Sequence, residues 1–574
     1  IKVSDGLNVV ETAADGSFTL PGHERERFIF ITTPSGYKTF NRHYHKIEKK
    51  QSGYDFGLIP YSGRIRKNGS HRYIHIADTE IFNTENHADW VNNVRDYARN
   101  EQAAFIIHTG DICYEKGLKA HIKLMNTENM DCPVFYCIGN HDLVKGKYGE
   151  ELFESIYGPV YYSFDAGNVH YIVTPMPGGD HAPGYTADDV CRWLKNDLAH
   201  IRPGTPVVVF NHDLLTYEDA FIFKSKNAGS INLNEHNLKA WVYGHWHINY
   251  MKKQGDVYSV CTSSLDKGGI DHSTTAFRVM HVDSKGDFTS ELRYTYLDKN
   301  ICIASPAGVM ASGVLPVAVN VYSSVSPVRE VLYTCLADGK PVLKNKRLLQ
   351  STDWSWNGEL PLSHKYVGKE LTLRVTARFN NGEIAEAESH FICRTEKAVP
   401  LFSADWDNLS GNAKHSAPVS APLNLPLQLA WTNNVGANLY MTSPLIHKGK
   451  VIVASVDEDL KGVGHVYALN GKDGTILWSC PVRNSIKNSI AVDSDIVFAQ
   501  DAQGFLYAID TETGKLCWEK QLPVNGLPAL IDGLVAGEGV VYAGTGKGLC
   551  AFEARTGKQL WKNEGWGPVS YTHL

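Results

Sequence analysis

Five short polar motifs in the middle of the chain carry residue types that bind metal ions. In chain order they are Asp78-Thr79-Glu80, Gly110-Asp111-Ile112-Cys113-Tyr114, Gly139-Asn140-His141-Asp142, Asn211-His212 and Gly244-His245-Trp246-His247. Carboxylates, an amide oxygen and imidazoles suit divalent or trivalent first-row ions, whereas a structural zinc site would favour cysteine. One carboxylate can bridge two such ions about 3.5–4 Å apart, an arrangement that serves phosphoryl displacement. The motifs therefore indicate a metal centre that acts on phosphorus.

Each motif follows an apolar run that predicts a buried β-strand. The runs are Tyr73–Ala77, Phe105–His108, Val134–Ile138, Val207–Phe210 and Ala240–Tyr243. Between the first two, His87–Asn100 has Trp90, Val94 and Tyr97 at helical spacing, which predicts an amphipathic helix. Alternating β and α elements predict a layered α/β domain, and the ends of its strands would present the ligand-binding loops.

Composition narrows the class of protein. The chain has 574 residues, of which 43% are hydrophobic and 21% charged, with a net charge of −6. These values describe a folded chain and exclude disorder and collagen, and the lack of a basic stripe disfavours a nucleic-acid binder. No apolar stretch approaches the roughly 18 residues that a membrane span needs. The eleven cysteines form no C-x-x-C pair, so neither a disulfide scaffold nor a zinc ribbon is expected.

All-β modules are predicted on both sides of the α/β region. Short alternating runs such as Ser17–Leu20 and Phe28–Ile31 predict an N-terminal β-sandwich over residues 1–62, ahead of the α/β domain at 65–300. Residues 301–398 predict an immunoglobulin-like sandwich, with turns at Asp338-Gly339 and Asn381-Gly382. A linker is expected near 411–426. The fold class is thus a multidomain chain with a central α/β domain flanked by all-β modules.

Residues 427–568 contain an internal repeat. A strand, a turn with Gly474, Gly514 or Gly557, and a tryptophan recur in order, and the tryptophans are Trp478, Trp518 and Trp561. The period of about 40 residues is that of a propeller blade. The repeats resemble those of quinoprotein-type (PQQ-like) β-propellers, with a tryptophan docked between neighbouring blades. About three blades are visible, so we expect a partial propeller that acts as scaffold rather than as a quinone site.

Both ends of the chain suggest a fragment. The sequence opens at Ile1 without methionine, so a signal peptide is expected to be missing from it. The last six residues, 569–574, have the appearance of a translated sequencing adapter and are set aside as an artefactual tail. We therefore predict a longer natural chain.

The five motifs resemble those of the calcineurin-like metallophosphoesterases over about residues 65–300. The resemblance implies two β-sheets sandwiched between helices and a centre of two divalent or mixed-valence ions (Mn, Fe or Zn). A related group of secreted bacterial phosphoesterases carries similar flanking β modules. The resemblance therefore implies a periplasmic, cell-surface or secreted protein.

Roles are carried over from the family by position. Asp111 would bridge the two metals, Asn140, His212 and His245 would complete the second site, and Asp78 and His247 would belong to the first. His141 would face the substrate phosphate as a proton donor or charge stabiliser. Asp142 would fix the His141 ring.

One position departs from the family pattern. The usual first motif is Asp-x-His, but here position 80 is Glu. Either the Glu80 carboxylate replaces the imidazole, which would favour Mn, Mg or Fe, or Tyr114 is a ligand. The second option rests on Gly-Asp-x-x-Tyr, which resembles the purple acid phosphatases. A packing role for Tyr114 is the further alternative.

The sequence supports two functional hypotheses, an enzyme and a binding protein. In the first, the protein is an enzyme that cleaves a phosphate mono- or diester with a hydroxide bridging two metals. In the second, it is a cell-surface binding protein whose phosphoesterase core is degenerate at Glu80, with a protein or glycan partner for the β modules. Retention of His141 and Asp142 favours the enzyme, since a binding protein has no need of a proton donor.

Overall fold

A computed structural model describes residues 1–48, 51, 53–395, 405–416, 429–439, 442–524, 534–545 and 548–564. The chain divides into two compact units. The first comprises Ile1–Tyr296 with Glu458–Lys461, and the second comprises Leu297–Asp457 with Gly462–Leu574.

The first unit begins with a small all-β module. Its strands are β1 (Lys2–Ser4), β2 (Val9–Glu11), β3 (Phe28–Ile31), β4 (Tyr37–Thr39), β5 (Tyr44–Lys46) and β6 (Leu58–Pro60), followed by a 3-10 turn at Ser62–Arg64. They form a four-stranded sheet in the order β2-β1-β3-β5 and a separate β4-β6 pair. The predicted strand at Ser17–Leu20 is wrong. There the Ser17 amide donates to Asp15 Oδ1, which holds a local turn in place of a ladder.

The α/β domain follows in the same unit. Its elements are β7 (His71–Ile76), α1 (Ala88–Asn100), β8 (Phe105–His108), α2 (Tyr114–Leu124), α3 (Thr127–Met130), β9 (Val134–Tyr136), α4 (Glu151–Tyr157), β10 (Tyr162–Ala166), β11 (Val169–Val173), α5 (Ala187–Ala199), β12 (Val207–Phe210), β13 (Ile222–Lys224), β14 (Ser230–Asn232), a 3-10 turn (Leu233–His236), β15 (Leu238–Tyr243), β16 (Tyr250–Gln254), β17 (Val257–Cys261), β18 (Ala276–Val282) and β19 (Phe288–Tyr294). One sheet has the order β19-β18-β7-β8-β9, the other β10-β11-β12-β15-β17-β16, and β13 pairs with β14. The predicted α/β layering is confirmed.

Aromatic side chains join the two large sheets. The Phe105 ring on β8 lies 5.0 Å from Phe164 on β10, and the Tyr73 ring on β7 lies 5.7 Å from Phe210 on β12. Helix α1 covers the other face of the five-stranded sheet and buries Trp90 in one core with residues of β7 and β8. The helix predicted over 87–100 is confirmed, because its apolar residues fall on a single face.

The second unit opens with a β-sandwich. Its elements are β20 (Asn300–Ser305), β21 (Gly308–Ala311), β22 (Gly313–Tyr322), β23 (Val328–Ala337), β24 (Lys340–Arg347), β25 (Leu349–Thr352), β26 (Ser355–Leu362), a 3-10 turn (His364–Tyr366), β27 (Glu370–Phe379) and β28 (Ile384–Arg394). The sheet orders are β20-β22-β26-β25 and β21-β28-β27-β23-β24. Alternate residues of β22, such as Val317, Val319 and Val321, are buried, as expected for a sheet with one covered face.

Three four-stranded antiparallel sheets make up the repeat region. After a 3-10 turn (Leu409–Gly411) they are β29 (Leu445–His447), β30 (Lys450–Ala454), β31 (His465–Asn470) and β32 (Ile476–Pro481); β33 (Ala491–Asp493), β34 (Ile496–Gln500), β35 (Phe505–Asp510) and β36 (Leu516–Gln521); and β37 (Leu534–Gly537), β38 (Val540–Thr545), β39 (Gly548–Glu553) and β40 (Gln559–Asn563). Strand order follows the sequence in each. The predicted repeat is confirmed.

The tryptophans of the first two repeats, Trp478 and Trp518, each pack on the turn of the next repeat. A Cβ on Gly514 would lie 2.7 Å from the Trp478 ring, whose Nε1 donates to the Thr511 carbonyl. Trp518 meets Gly557 in the same way. Glycine is required at these turns because the ring occupies the space of a side chain and the backbone has positive φ.

Other expectations from the sequence have mixed outcomes. No helix in the described part of the chain is long and apolar enough to cross a membrane. All eleven cysteines are free, and nine are buried. The predicted tail at 569–574 and most of the predicted linker lie outside the described residues, and the domain boundaries stay predictions.

Candidate metal centre

The five motifs form loops at the carboxyl ends of neighbouring strands. Strands β7, β8 and β9 are parallel neighbours in one sheet, and β12 and β15 are parallel neighbours in the other. The two sheets face each other, so the loops that follow these strands converge. Seven non-glycine residues of the loops have φ between 44° and 71°, namely Asp78, Glu80, Asp111, Cys113, Tyr114, His245 and His247. Such concentrated backbone strain is typical of functional sites.

Asp111 is common to three candidate ligand groups, two of which consist of aspartates and histidines. In the first group the ligand atoms of Asp78, Asp111 and His247 all lie within 4.8 Å of one another. In the second group those of Asp111, His212 and His245 do so. The structure thus brings together five of the predicted ligands around a single shared carboxylate.

Glycines make the close approach of these loops feasible. A Cβ on Gly139 would lie 2.2 Å from Asp111 Oδ1, and one on Gly244 would lie 2.8 Å from Asp78 Oδ2. Backbone amides also orient the carboxylates, since His141 N donates to Asp111 Oδ1 (3.0 Å) and His245 N donates to Asp78. Any larger residue at either glycine would displace a carboxylate.

Buried histidines and backbone groups orient the ligands. The His212 Nδ1 donates to the Thr109 carbonyl (2.7 Å), which directs Nε2 towards Asp111 Oδ2 at 3.1 Å. His108 Nδ1 accepts from the Gly110 amide, so its Nε2 carries the proton and donates to Thr79 Oγ1. His75 contacts Thr109. The two strand histidines therefore support the loops rather than line the cavity.

The ligand atoms brought together here fit a hard or borderline cation. Asn140 Oδ1 is shielded from solvent and has no hydrogen-bond partner, and His212 Nε2 is not aligned for a hydrogen bond with its carboxylate neighbour. A buried carbonyl oxygen that accepts no hydrogen bond destabilises the folded protein unless a ligand such as a cation binds it. Two buried carboxylates, Asp78 and Asp111, add negative charge to the same small volume. The residues present therefore fit divalent metal ions.

The pKa values reflect this crowding of charge. Burial raises the pKa of Asp78 to about 6. Burial also opposes ionisation of Asp111, but the adjacent His212 and the His141 amide lower its pKa to about 2. Burial lowers the pKa of His212, yet Asp111 and Asp78 outweigh it and raise the value to about 10. Asp111 and His212 therefore form a charged buried pair that a cation would compete for.

Glu80 lies at this site and is also held by a lysine. Glu80 forms a third candidate group with Asp111 and Cys113, and its Oε1 is 3.5 Å from His247 Nε2. Lys267 Nζ donates to Glu80 Oε2 (3.0 Å) and to its backbone carbonyl. Burial raises the pKa of the Cys113 thiol far above its usual range. Lys267 had no distinguishing pattern in the sequence.

Tyr114 stands at the mouth of the site. Its side chain is 45% exposed, and its ring lies 5.4 Å from the His141 ring. Burial is the largest of the effects that raise the pKa of its phenol, followed by nearby negative charge. Whether Tyr114 is a ligand stays a prediction.

The predicted role of Asp142 as the partner of His141 is wrong. Asp142 is fully buried and accepts hydrogen bonds from the Gly139 and Cys113 amides. Instead, His141 Nδ1 is 2.8 Å from Asp180 Oδ2. Asp142 follows His141 directly in the chain and points into the protein to join two motif loops, whereas the His141 ring points outward. Asp180 lies in the glycine- and proline-rich segment 175–184, whose composition is typical of a flexible loop.

The chain matches three family models. Residues 1–60 match "N terminal of Calcineurin-like phosphoesterase", residues 71–249 match "Calcineurin-like phosphoesterase", and residues 428–567 match "Outer membrane protein assembly factor BamB".

Two curated relatives from Pseudomonas putida match short segments. Quinohemoprotein alcohol dehydrogenase ADH-IIG is 26% identical over 117 residues, which is 17% of this chain and 16% of that protein. Quinoprotein alcohol dehydrogenase PedE is 48% identical over 73 residues, 12% of this chain and 11% of that protein. This chain therefore spans less than a fifth of either relative.

Among solved structures, BamB from Moraxella catarrhalis is 16% identical with a TM-score of 0.20, covering 24% of this chain and 39% of that one. A europium-containing methanol dehydrogenase is 20% identical with a TM-score of 0.24, covering 29% and 32%. The family models are the informative matches. Residues 1–60 and 71–249 match the calcineurin-like phosphoesterase models, and residues 428–567 match the model of BamB-like, PQQ-like repeats.

Proposed function

We propose that the chain hydrolyses a phosphate mono- or diester at a centre of two metal ions. The observation that carries the proposal is the pair of ligand groups that share Asp111. Asp78, Asp111 and His247 would hold one ion. Asp111, His212 and His245, with the unpartnered Asn140 Oδ1, would hold the other. Bound there, two cations would supply charge that acidifies an attacking water and offsets the phosphate oxygens.

His141 is the proposed proton donor to the leaving oxygen. Its Nδ1 contacts Asp180, which leaves Nε2 as the nitrogen that can face a substrate. Burial lowers the pKa of His141, but the Asp180 hydrogen bond and the charge of Asp111 reverse this and raise it above its ordinary value. The contact with the Asp180 carboxylate favours a proton on the His141 ring, as a general acid requires.

A specific contact supports the second candidate, a degenerate core that binds without turnover. Lys267 bonds to Glu80 at the position where the family has histidine. If Glu80 stays with Lys267, the first ion has only Asp78, Asp111 and His247. A weak first site would leave one ion or none per chain.

Metal content and turnover separate the two candidates. The chain is purified without chelator, reloaded with Mn, Fe or Zn, and examined for metal per chain and for hydrolysis of 4-nitrophenyl phosphate and its diester. The enzyme predicts two ions per chain and hydrolysis that EDTA removes. Substitution Asn140→Ala should weaken the second ion and abolish turnover.

The matched control is Asp256→Asn, since that carboxylate is fully exposed on the same domain. It should leave both readouts unchanged. One ion or none with no turnover would overturn the enzyme and favour the binding protein. Two ions with an iron-dependent visible colour would support Tyr114 as a ligand, because phenolate binding to ferric iron absorbs visible light.

Location and partners are proposed from the family models. The phosphoesterase family model supports a phosphate-ester substrate. The BamB-like repeats are compatible with a periplasmic or secreted protein. A protein or glycan partner for the β modules stays a prediction.

A further inference from the structure

We propose that Arg27 and Arg25 of the N-terminal module hold the loop that places Asp180 against His141, so that the module takes part in catalysis. Asp180, Arg25 and Arg27 are positioning residues in this scheme, acting through His141. The inference rests on the proposed function. It concerns the loop at 174–186, between β11 and α5.

One end of the loop is seated on the His141 motif. The Asp180 amide donates to the Asn140 carbonyl (3.1 Å), and the Asp180 carboxylate contacts His141 Nδ1. A Cβ on Gly179 would lie 2.2 Å from the Asn140 carbonyl oxygen, so only glycine permits this approach. Asp180 is itself 39% exposed, which means that packing around its side chain does not hold it in place. The loop backbone must do so.

The other end of the loop is bound through Gly184. Its amide donates to both carboxylate oxygens of Glu150 (3.1 and 2.9 Å), and Glu150 is completely buried. A Cβ on Gly184 would lie 2.9 Å from Arg27 Nη1 and 3.0 Å from Glu150 Oε1. Between the two ends, the Gly149 amide donates to the Ala182 carbonyl (2.8 Å). The loop is therefore fixed on both sides of Asp180.

Two arginines of the N-terminal module complete the attachment. Arg27 Nη2 contacts Glu150 Oε1 (2.7 Å) and Glu154 Oε1 (2.8 Å). Arg25 Nη2 donates to the Gly184 carbonyl (2.8 Å) and pairs with Asp189 (2.9 Å), in the first turn of α5. Both backbone groups of Gly184 thus depend on the module, the amide through Glu150 and the carbonyl directly.

Of the two arginines, Arg27 is the more important for holding the loop, because it neutralises a buried carboxylate. Glu150 has no exposure to solvent, and Arg27 supplies its compensating positive charge. Removal of one partner from a buried pair leaves an uncompensated charge. Without Arg27, we expect the buried Glu150 carboxylate to turn towards water, which weakens its two contacts with the Gly184 amide. Asp180 would then lose the backbone support that aligns it with His141.

A double-mutant cycle tests the connection in the full metal-loaded chain. The variants are Arg27→Met, Asp180→Ala and the double variant, and Arg27→Lys is included to test recovery by a retained charge. The control is Arg42→Met, because Arg42 is in the same module and its guanidinium lies over the Tyr44 ring. Substrates are an alkyl phosphate ester, whose leaving oxygen needs a proton, and a 4-nitrophenyl ester, whose leaving oxygen does not.

The proposal predicts a selective loss of turnover. Asp180→Ala and Arg27→Met should each lower kcat for the alkyl ester, by up to about 100-fold, because a small misplacement of a catalytic group has effects of that size. KM should change little, and the 4-nitrophenyl ester should lose less than about tenfold. The double variant should be no worse than Asp180→Ala, and Arg27→Lys should recover part of the activity. Additive losses, or equal losses on both esters, would overturn the proposal.

A second readout does not depend on turnover. Hydrogen exchange of the amides in residues 177–186 should become faster in Arg27→Met and stay unchanged in Arg42→Met, with exchange in β7 and β8 as the check that the fold is intact. If no phosphate ester is hydrolysed by the unmodified chain, the proposed function fails but exchange still tests the attachment. Unchanged exchange at 177–186 in Arg27→Met would overturn it.

Discussion

Histidine–carboxylate clusters occur in both units, but their surroundings differ. In the phosphoesterase domain, Asp78 and Asp111 are buried and Asn140 Oδ1 lacks a partner. In the repeat region, Asp405, Asp407 and His447 also lie within metal-ligand distance. There, however, both ring nitrogens of His447 have hydrogen-bond partners, Asp407 at Nδ1 and Asp495 at Nε2. The side chains of Asp405, Asp407 and Asp495 are each at least 36% exposed. Proximity alone therefore does not identify a metal site.

A third cluster, His170 with Asp165 and Asp197, is buried but has no unpartnered ring nitrogen. His170 is fully buried, but its Nδ1 contacts Asp165 and its Nε2 contacts Asp197, both at 2.7 Å. Each of its nitrogens is satisfied, so the cluster has nothing to offer a cation. Buried polar atoms without hydrogen-bond partners therefore indicate a bound ligand, whereas buried polar atoms with partners indicate a contribution to the stability of the fold.

The largest predicted effect is at the shared carboxylate. Asp111→Asn should remove both ions and reduce hydrolysis to background, because each candidate site includes Asp111. Added Mn²⁺ at about 100 times Kd should stabilise the unmodified chain by ~2.7 kcal/mol and the variant not at all. Elemental analysis and thermal unfolding check this. Asp407→Asn is the matched control in the repeat region, and a loss of metal there would break the comparison.

The second prediction concerns the pH dependence of stability at His170. Burial lowers its pKa, but Asp197 and Asp165 outweigh burial and raise the pKa to about 9. A pKa raised on folding gives stability that is fully present below the unfolded value of 6.5 and is lost as pH rises through about 9. We expect a loss on the order of 3 kcal/mol across this interval.

Hydrogen exchange in β10 and β11 at increasing pH measures that loss, since both strands carry members of the cluster. His170→Gln should be less stable at pH 6 and should lack the pH-dependent component. A variant with the same pH slope as the unmodified chain would contradict the assignment of the slope to His170.

The smallest effect is expected at His447. Hydrogen bonds to Asp407 and Asp495 raise the pKa of His447, but its partners are exposed and screened by solvent. His447→Gln should therefore change stability by about 1 kcal/mol or less. Chemical denaturation in low and high salt checks this, and a loss of several kcal/mol would place this cluster with His170 rather than with surface ion pairs.

Much of the fold could be predicted because its information is local. The run Phe105–His108 is a strand with those bounds, and helix α1 differs from the prediction by one residue at its start. Period-two and helical patterns report which face of an element is buried, so they survive without knowledge of the partner. Ser17–Leu20 has the same alternation but a competing Asp15 turn, and there the local pattern failed.

The candidate site likewise contains residues that local sequence predicts and pairings that depend on the fold. Asp111, Asn140 and His245 were recognised because each follows a strand and a glycine in sequence. The pairing of Lys267 with Glu80 and that of Asp180 with His141 were not predicted, since the partners lie 187 and 39 residues apart in the chain. No sequence pattern encodes such pairs.

By itself the sequence determined the strand ends, the metal-binding residue types, the repeat period and the class of chemistry, all of which depend on short-range spacing. The tertiary structure alone decided which carboxylate serves His141, because Asp142 and Asp180 are the same residue type and only packing directs one inward and the other to the ring. It also decided which histidine–aspartate clusters have unused donors. That property depends on burial and on every neighbouring hydrogen bond, and neither exists until the chain has folded.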